Sequence, residues 1–496
     1  MAQPVFPAAS FCFPPLRALN RCAVGVNLRR MTLANHYDFD VAIIGGGSAG
    51  YAAASATARG GMRTAVIEGG DEVGGLCILR GCMPTKALLY AAEVKHLAEH
   101  AATWGIQVSE VRFDFAQVMA RKNAMIADFA DYRRQQLEGG RFKFIRANAR
   151  FVDPHTVELS NGQRFTSSHF VLTTGSVVSA PPLPKLDSVG YLTSDSAMSL
   201  DRLPRSLIVL GGGAVAVEFA QFFARFGVRV TVLQRSQHLL RDFDPVAAQV
   251  IETVFRREGI KLITGTRLID ARCEGGLKHV TFEHEGQIRT IAAEEIFHGL
   301  GRSPNTGGLA LENTAVTTDK RGRIVTNDRM QSGALHIFAA GDCAGPHEIV
   351  HIAIQQGETA AHNILHPESP LAMDYRLLTS VVFTDPQVAC VGLTEAAARA
   401  QGIKFISASY PFADHGKSML MEAKDGFVKL LADPRTGEIL GGACVGPSGG
   451  ELIHEIIAAM SKRMTAGELA AMPHYHPTLA EIWTYPAEEL AAAVTA

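Results

Sequence analysis

Two cysteines five positions apart, Cys77 and Cys82 in "GGLCILRGCMPTKALL" (residues 74–89), are the side chains whose type and spacing first point to chemistry. In a regular helix, Cα atoms five residues apart lie roughly 8–9 Å from each other, beyond the roughly 7 Å reach of a disulfide. A bridge between them therefore requires a distorted turn. Gly74, Gly75 and Gly81 supply the flexibility, and Pro84 suits the first turn of a following helix. A distorted, accessible disulfide is more easily reduced than a structural one. Arg80, Lys86 and the helix N-terminus would stabilise a thiolate there. Two buried free thiols, or half of a zinc site, are the bland alternatives, but the chain has no second closely spaced cysteine pair to complete a zinc site. The other cysteines stand singly, and eight in 496 residues are too few for a secreted disulfide scaffold, so a reducing compartment is expected.

Such a pair needs a donor or acceptor of electrons, and the flanking sequence supplies a place for one. "FDVAIIGGGSAGYAAASATARGGMRTAVIEGG" reads as an apolar strand over 41–44, a Gly-rich turn, an Ala-rich helix and a second strand over 64–68. In that order of elements G-x-G-x-x-G gains meaning: Gly45 permits the tight turn, Gly47 lets backbone approach a pyrophosphate, and Gly50 allows close helix packing. Glu68, ending the second strand, suits a ribose diol. The outline returns in "SLIVLGGGAVAVEFAQFFARFGVRVTVLQRS", where Gly211 and Gly213 repeat the first two glycines and Ala216 replaces the third. Gln234 stands where Glu68 stood, with Arg235 and Arg241 nearby. A neutral amide beside two arginines suits a 2'-phosphate, so the second unit is expected to prefer NADPH over NADH.

"TVELSNGQRFTSSHFVLTTGS" reads as a hairpin and a strand ending at Gly175; "HVTFEHEGQIRTIAAEEIFHGLGRSPN" repeats it, ending at Gly301; "ALHIFAAGDC" adds a strand ending at Asp342. From about residue 372 the pattern changes to antiparallel strands and an amphipathic helix with no glycine fingerprint. The expected fold is α/β: two Rossmann-like dinucleotide-binding domains, for FAD and NAD(P), plus a C-terminal α+β dimerisation domain. The expected divisions are an extension over 1–37, FAD-binding parts over 38–185 and 291–371, an NAD(P)-binding domain over 186–290 and a dimerisation domain over 372–496.

Composition narrows the partners. Hydrophobic residues at 47% and charged residues at 19% are those of a globular chain, and a net charge of -2 without a long basic run gives no attraction to nucleic acid or anionic lipid. No uncharged apolar stretch reaches the roughly 20 residues of a membrane span. Residues 1–37 carry Arg17, Arg21, Arg29 and Arg30 and no acid, the composition of a mitochondrial transit peptide or of a tail ahead of a start at Met31. The expected location is cytoplasmic, with the mitochondrial matrix as the alternative if residues 1–30 are a transit peptide.

The cysteine motif, both fingerprints, "TTGS", "GRSPN", "AAGDC" and "HPTLAE" together resemble the class I pyridine nucleotide-disulfide oxidoreductases, the family of glutathione reductase, dihydrolipoamide dehydrogenase and mercuric reductase. The resemblance runs from residue 38 to about 490. It implies that Cys82 contacts the flavin as a thiolate, that Cys77 attacks the substrate, and that Lys86 pairs with Glu218 beside the flavin. His476 and Glu481 resemble the family's acid-base dyad, contributed by the partner subunit of a homodimer. Gly75, Thr174, Gly175, Gly301, Arg302, Gly341 and Asp342 fall in or beside the family's cofactor-binding motifs. The implied activity is electron transfer between NAD(P)H, FAD and the Cys77–Cys82 disulfide, then to a small disulfide or dithiol. Direct reduction of metals or quinones by the flavin, or redox sensing without turnover, are the alternatives. No cysteine follows Cys444, so the C-terminal pair that receives mercury in mercuric reductases is missing. Ala214 stands where glutathione reductases carry a gating tyrosine, which disfavours glutathione.

Overall fold

The computed structural model describes residues 37–494. The arginine-bearing extension lies outside the described residues. Apolar strand β1 (Phe39–Ile44) runs into α1 (Ser48–Arg59), which returns to β2 (Thr64–Glu68) alongside β1 in parallel. Val41, Ala42 and Ile43 are fully buried, as expected for a parallel strand covered on both faces. The sheet grows to seven strands. Their order is β3 (Lys143–Arg146), β2, β1, β6 (Arg164–Leu172), β5 (Thr156–Leu159) and β4 (Ala149–Asp153), with Ile337–Ala339 also pairing on β6. The Asn161-Gly162 turn joins β5 to β6, as the sequence suggests.

A second parallel sheet repeats the plan with four strands in the order Lys261–Ile263, Arg229–Leu233, Ser206–Leu210 and Glu295–His298. A three-stranded antiparallel sheet over 266–293 is inserted before its last strand. The C-terminal region holds a five-stranded antiparallel sheet, in which Phe427–Ala432 and Ile439–Gly446 pair as read from sequence, backed by the helix Gly449–Ser461.

Three strands stop earlier than expected, and by the same amount. They end at Leu172, His298 and Ala339, three residues before Gly175, Gly301 and Asp342. The chain leaves the sheet to turn over its C-terminal edge, with Gly175, Gly301 and Gly341 all at positive φ. Ligands of open α/β sheets bind at that edge, so the apolar run overstates the strand where the binding loops begin.

Helix Ala214–Arg225 ties the second nucleotide unit to the C-terminal region through one face. Glu218 accepts from the Phe383 amide at 2.9 Å. Gln221 both donates to the Asp385 carbonyl and accepts from the Asp385 amide, each at 2.7 Å. Arg225, with a side chain 5% exposed, bridges Glu258 and Asp385 at 2.7 Å each. Residues spaced by three and four lie on one side of a helix, so these bonds fix the height and rotation of Glu218.

Candidate active site

The distortion required by the cysteine spacing is present as a break between two helices. α2 (Gly75–Leu79) carries Cys77; the chain unwinds at Arg80 and Gly81; α3 (Cys82–Glu99) begins at Cys82. Both cysteines are free and half-buried. The Cys77 thiol donates to Cys82, and that hydrogen bond, followed by the Lys86 charge, pulls the Cys82 thiol down to about 7 against the opposing effect of burial. The same contact and its burial push the Cys77 thiol up. The pair is therefore asymmetric: Cys82 holds the thiolate and Cys77 holds the proton. Arg80 does not play the part expected of it. Its guanidinium turns away to Glu72, on the exposed rim.

Lys86 and Glu218 come together across 132 residues, with Nζ 2.8 Å from Oε2 and 3.1 Å from Oε1. The ammonium also stands 4.5 Å from the centre of the Phe383 ring. Glu218 is buried, and its carboxylate is shared between Lys86 and the Phe383 amide, so both its charge and its lone pairs are met.

His476 and Glu481 form the expected pair, with Nδ1 2.9 Å from Oε2 and 3.1 Å from Oε1. The imidazole is 78% exposed, whereas the carboxylate is 11% exposed. An anchored acid thus aims an outward-facing base. Beneath it lies a residue that the sequence reading missed: His415, fully buried, with Nε2 3.3 Å from Glu481 Oε1. Arg133 was also missed. Carried on α4 (Phe115–Glu138), its guanidinium lies 4.1 Å from the centre of the Tyr51 ring of α1, and its charge acts on Cys77.

The first nucleotide unit fits a dinucleotide. A Cβ on Gly50 would sit 1.9 Å from the Gly45 carbonyl oxygen, so only glycine lets α1 approach β1 this closely. No side chain caps α1 at Gly47, which leaves its first N–H groups for an anion. Glu68 accepts from the amides of Gly46 and Gly70 at 2.8 Å each, holding it beside the glycine loop. Gly75 connects this loop to the cysteines. It has φ +72°, and a Cβ there would lie 2.7 Å from the Gly47 Cα. At the sheet edge the Thr174 hydroxyl is buried beside the Cys343 thiol. Gly341 is held by Gln356, whose side-chain oxygen accepts its amide at 2.7 Å. Asp342 accepts from the Ser176 hydroxyl at 2.6 Å. Arg302 spends its guanidinium on protein, donating to the Ser176 hydroxyl and carbonyl at 3.0 and 2.9 Å and lying 3.4 Å from Asp195.

In the second unit the bulk is redistributed. Ala216 occupies the place of the third glycine, and the residue facing it is Gly299, where a Cβ would lie 2.8 Å from the Ala216 Cβ. In the first unit Gly50 faces Thr173, so the small residue has changed sides. A Cβ at Gly213 would meet open space, and Gly211, at φ +109°, packs on Gly299. Gln234 is buried, donating to the His238 carbonyl at 3.4 Å and accepting from the Arg235 amide at 3.0 Å. The Arg235 and Arg241 side chains are exposed, Arg241 lying 3.5 Å from Asp242. Among the described residues no cluster of three or more His, Cys, Asp or Glu side chains is arranged to hold a metal, and no helix is long and apolar enough to cross a membrane.

The family model described as pyridine nucleotide-disulphide oxidoreductase matches residues 39–357, that of its dimerisation domain matches 378–487, and the chain belongs to this family. It is an FAD-dependent oxidoreductase that works with a nicotinamide dinucleotide. The dihydrolipoyl dehydrogenase of Geobacillus stearothermophilus is 33% identical over 450 residues, covering 90% of this chain and 95% of that one. The mercuric reductase of Staphylococcus aureus is also 33% identical, over 445 residues, covering 90% and 81%. Among solved structures, LpdA from Mycobacterium tuberculosis superposes with a TM-score of 0.83 at 28% identity, covering 91% of this chain and 99% of that one. The HOCl-induced flavoprotein disulfide reductase RclA from Escherichia coli gives 0.81 at 26%, covering 90% and 99%.

Proposed function

We propose that the protein is an NAD(P)H:disulfide oxidoreductase of the dihydrolipoamide dehydrogenase and mercuric reductase branch, with Cys77 as interchange thiol and a small disulfide or dithiol as substrate. The observation that carries this reading is the free Cys77 and Cys82 pair on a broken helix held against the dinucleotide loop by Gly75, with the Lys86–Glu218 ion pair beside it. Gly45, Gly47, Gly50, Glu68, Thr174, Gly175 and Asp342 would hold FAD; Gly211, Gly213, Gln234, Arg235 and Arg241 would hold the nicotinamide dinucleotide, with NADPH preferred.

The chain's own groups carry the exchange. His476 takes the Cys77 proton as the sulfur attacks the substrate disulfide, forming a mixed disulfide, and returns that proton to the departing thiolate. Glu481 keeps the imidazole oriented and balances its charge while it is protonated. The Cys82 thiolate then attacks Cys77, releasing the second thiolate and closing the Cys77–Cys82 bridge. Bound FAD supplies the two-electron relay from the nicotinamide that restores the dithiol. Lys86, neutralised on its inner side by Glu218, favours the Cys82 thiolate whenever the bridge is open. Run backward, the same exchange oxidises a dithiol.

The dimer is part of this reading. His476 faces outward, and the matched dimerisation domain surrounds it. Tyr90, Val94 and Leu97, spaced along one face of α3, are 60, 50 and 50% exposed, an apolar stripe suited to burial by a second copy. A cytoplasmic location agrees with the four cysteines outside the site among the described residues, Cys273, Cys343, Cys390 and Cys444, all free. The direct test is Cys77→Ser, compared with the wild type at equal flavin content. Turnover of a lipoamide-type disulfide is expected to fall by at least about 100-fold; retention of full turnover would contradict the dithiol route.

A further inference from the structure

The pair formed by His476 and Glu481 has a third member. His415 sits between the 3-10 turn Phe412–Asp414 and the short helix Gly416–Leu420, and its side chain is fully buried. One ring nitrogen, Nδ1, is 2.8 Å from the Ser418 hydroxyl. The other, Nε2, has no aligned hydrogen-bond partner, yet Glu481 Oε1 stands 3.3 Å from it. That oxygen is 3.1 Å from His476 Nδ1 as well. Glu481 therefore lies between two imidazoles, one outward and exposed, the other inward and dry. A Ser418 hydroxyl donating to Nδ1 places the ring proton on Nε2, facing the carboxylate. A small rotation of the carboxylate then satisfies both a buried N–H and a buried oxygen.

We propose that His415 is a positioning residue, its Nε2–H holding Glu481 and moderating the pull of that carboxylate on the His476 proton. This rests on the reading of His476 and Glu481 as the proton-transfer pair. The groups around His415 favour a neutral donor. Burial is the main cause holding its imidazole below the usual histidine range, with His476 acting in the same direction and Glu481 opposing. The edges of Phe412 and Tyr485 close the site, each ring centre 6.4 Å from that of His415, and Tyr410 stacks on Tyr485 at 3.9 Å. Asp414 and Lys417 flank it in the chain, and the Asp414 carbonyl accepts from the Tyr410 hydroxyl at 3.3 Å. A neutral N–H on one carboxylate oxygen withdraws acceptor strength from the other, so proton release from His476 becomes easier than it would be against Glu481 alone.

The test compares His415→Asn, His415→Gln and the wild-type flavoprotein dimer in pH profiles of turnover with a small disulfide. Asparagine keeps a polar atom near the Nδ1 position and loses the Nε2 donor; glutamine places its amide near Nε2. For H415N the alkaline limb of disulfide reduction should move up by about one pH unit, since the proton passed between Cys77 and His476 is then held longer. For H415Q the limb should return to the wild-type position. The acid limb of dithiol oxidation should move the same way in H415N. A lower plateau with an unmoved limb would assign His415 to packing alone and overturn the proposal. Should H415N fail to fold, Ser418→Ala, which frees the ring tautomer, is expected to shift the limb in the same direction, and an unmoved limb there overturns the proposal equally. His476→Ala separates the two levels. If its disulfide turnover is undiminished, the proton-transfer reading fails and this inference with it; if turnover collapses while H415N behaves as wild type, only this inference fails.

Discussion

At the scale of single residues, the chemistry turns on one thiolate. The dithiol form carries the Cys82 thiolate above about pH 7 and loses it as the pH falls through that value. Removing a group that favours the thiolate must raise the midpoint. The Cys77 hydrogen bond is the larger cause and the Lys86 charge a smaller one, so Cys77→Ala should move the midpoint further upward than Lys86→Met does. The pH dependence of alkylation of reduced Cys82 by iodoacetamide measures this order; a larger shift for K86M would reverse the assignment of causes. His476→Ala should lower disulfide turnover by roughly 10²–10⁴-fold, the usual contribution of a positioned general acid-base. Steady-state rates at matched flavin content check it.

At the scale of elements the sequence carried more of the site than of its supports. Strand, glycine loop, helix and acid follow one another in sequence, so the dinucleotide units were legible there, as was the unsuitability of a regular helix for bridging Cys77 and Cys82. His415 and Gly299 were not legible. Their significance lies in partners 66 and 83 residues away, Glu481 and Ala216, and no local spacing signals such a contact. The strands end before the apolar runs do because those runs continue into the loops at the C-terminal edge of the sheets. Arg80 was misread because proximity in sequence to a cysteine does not say which way a long side chain turns. Two substitutions test the elements. Gly75→Ala forces a side chain into positive φ, at about 1–2 kcal/mol, and against the Gly47 backbone. It should lower Tm by several degrees and loosen retained FAD, read by thermal melting and by flavin released on gel filtration. Gln234→Glu places a carboxylate where a 2'-phosphate is expected, and should raise KM for NADPH roughly tenfold while sparing NADH. Equal effects on both nucleotides would remove Gln234 from cofactor choice.

At the scale of the whole molecule, the proposed active site combines Cys77 of one subunit with His476 of the other. Variants defective in each can therefore complement. Mixing Cys77→Ser and His476→Ala dimers under conditions that exchange subunits should restore activity toward about a quarter of the wild-type value, because half the dimers are hybrids and each hybrid holds one intact site. Absence of recovery, with hybrids shown by mass, would place both residues in the same subunit's site. The central claim is that the cysteine pair stores the electrons that reach the substrate. It is tested most directly by anaerobic titration of the flavoprotein with NADPH, and separately with NADH, while the visible spectrum is followed. The expected result is a long-wavelength absorption band at two electrons per flavin, with the main flavin absorbance largely retained, and a sharper endpoint with NADPH. Bleaching of the flavin at the first two electrons, without that band, would show that Cys77 and Cys82 take no part in electron storage.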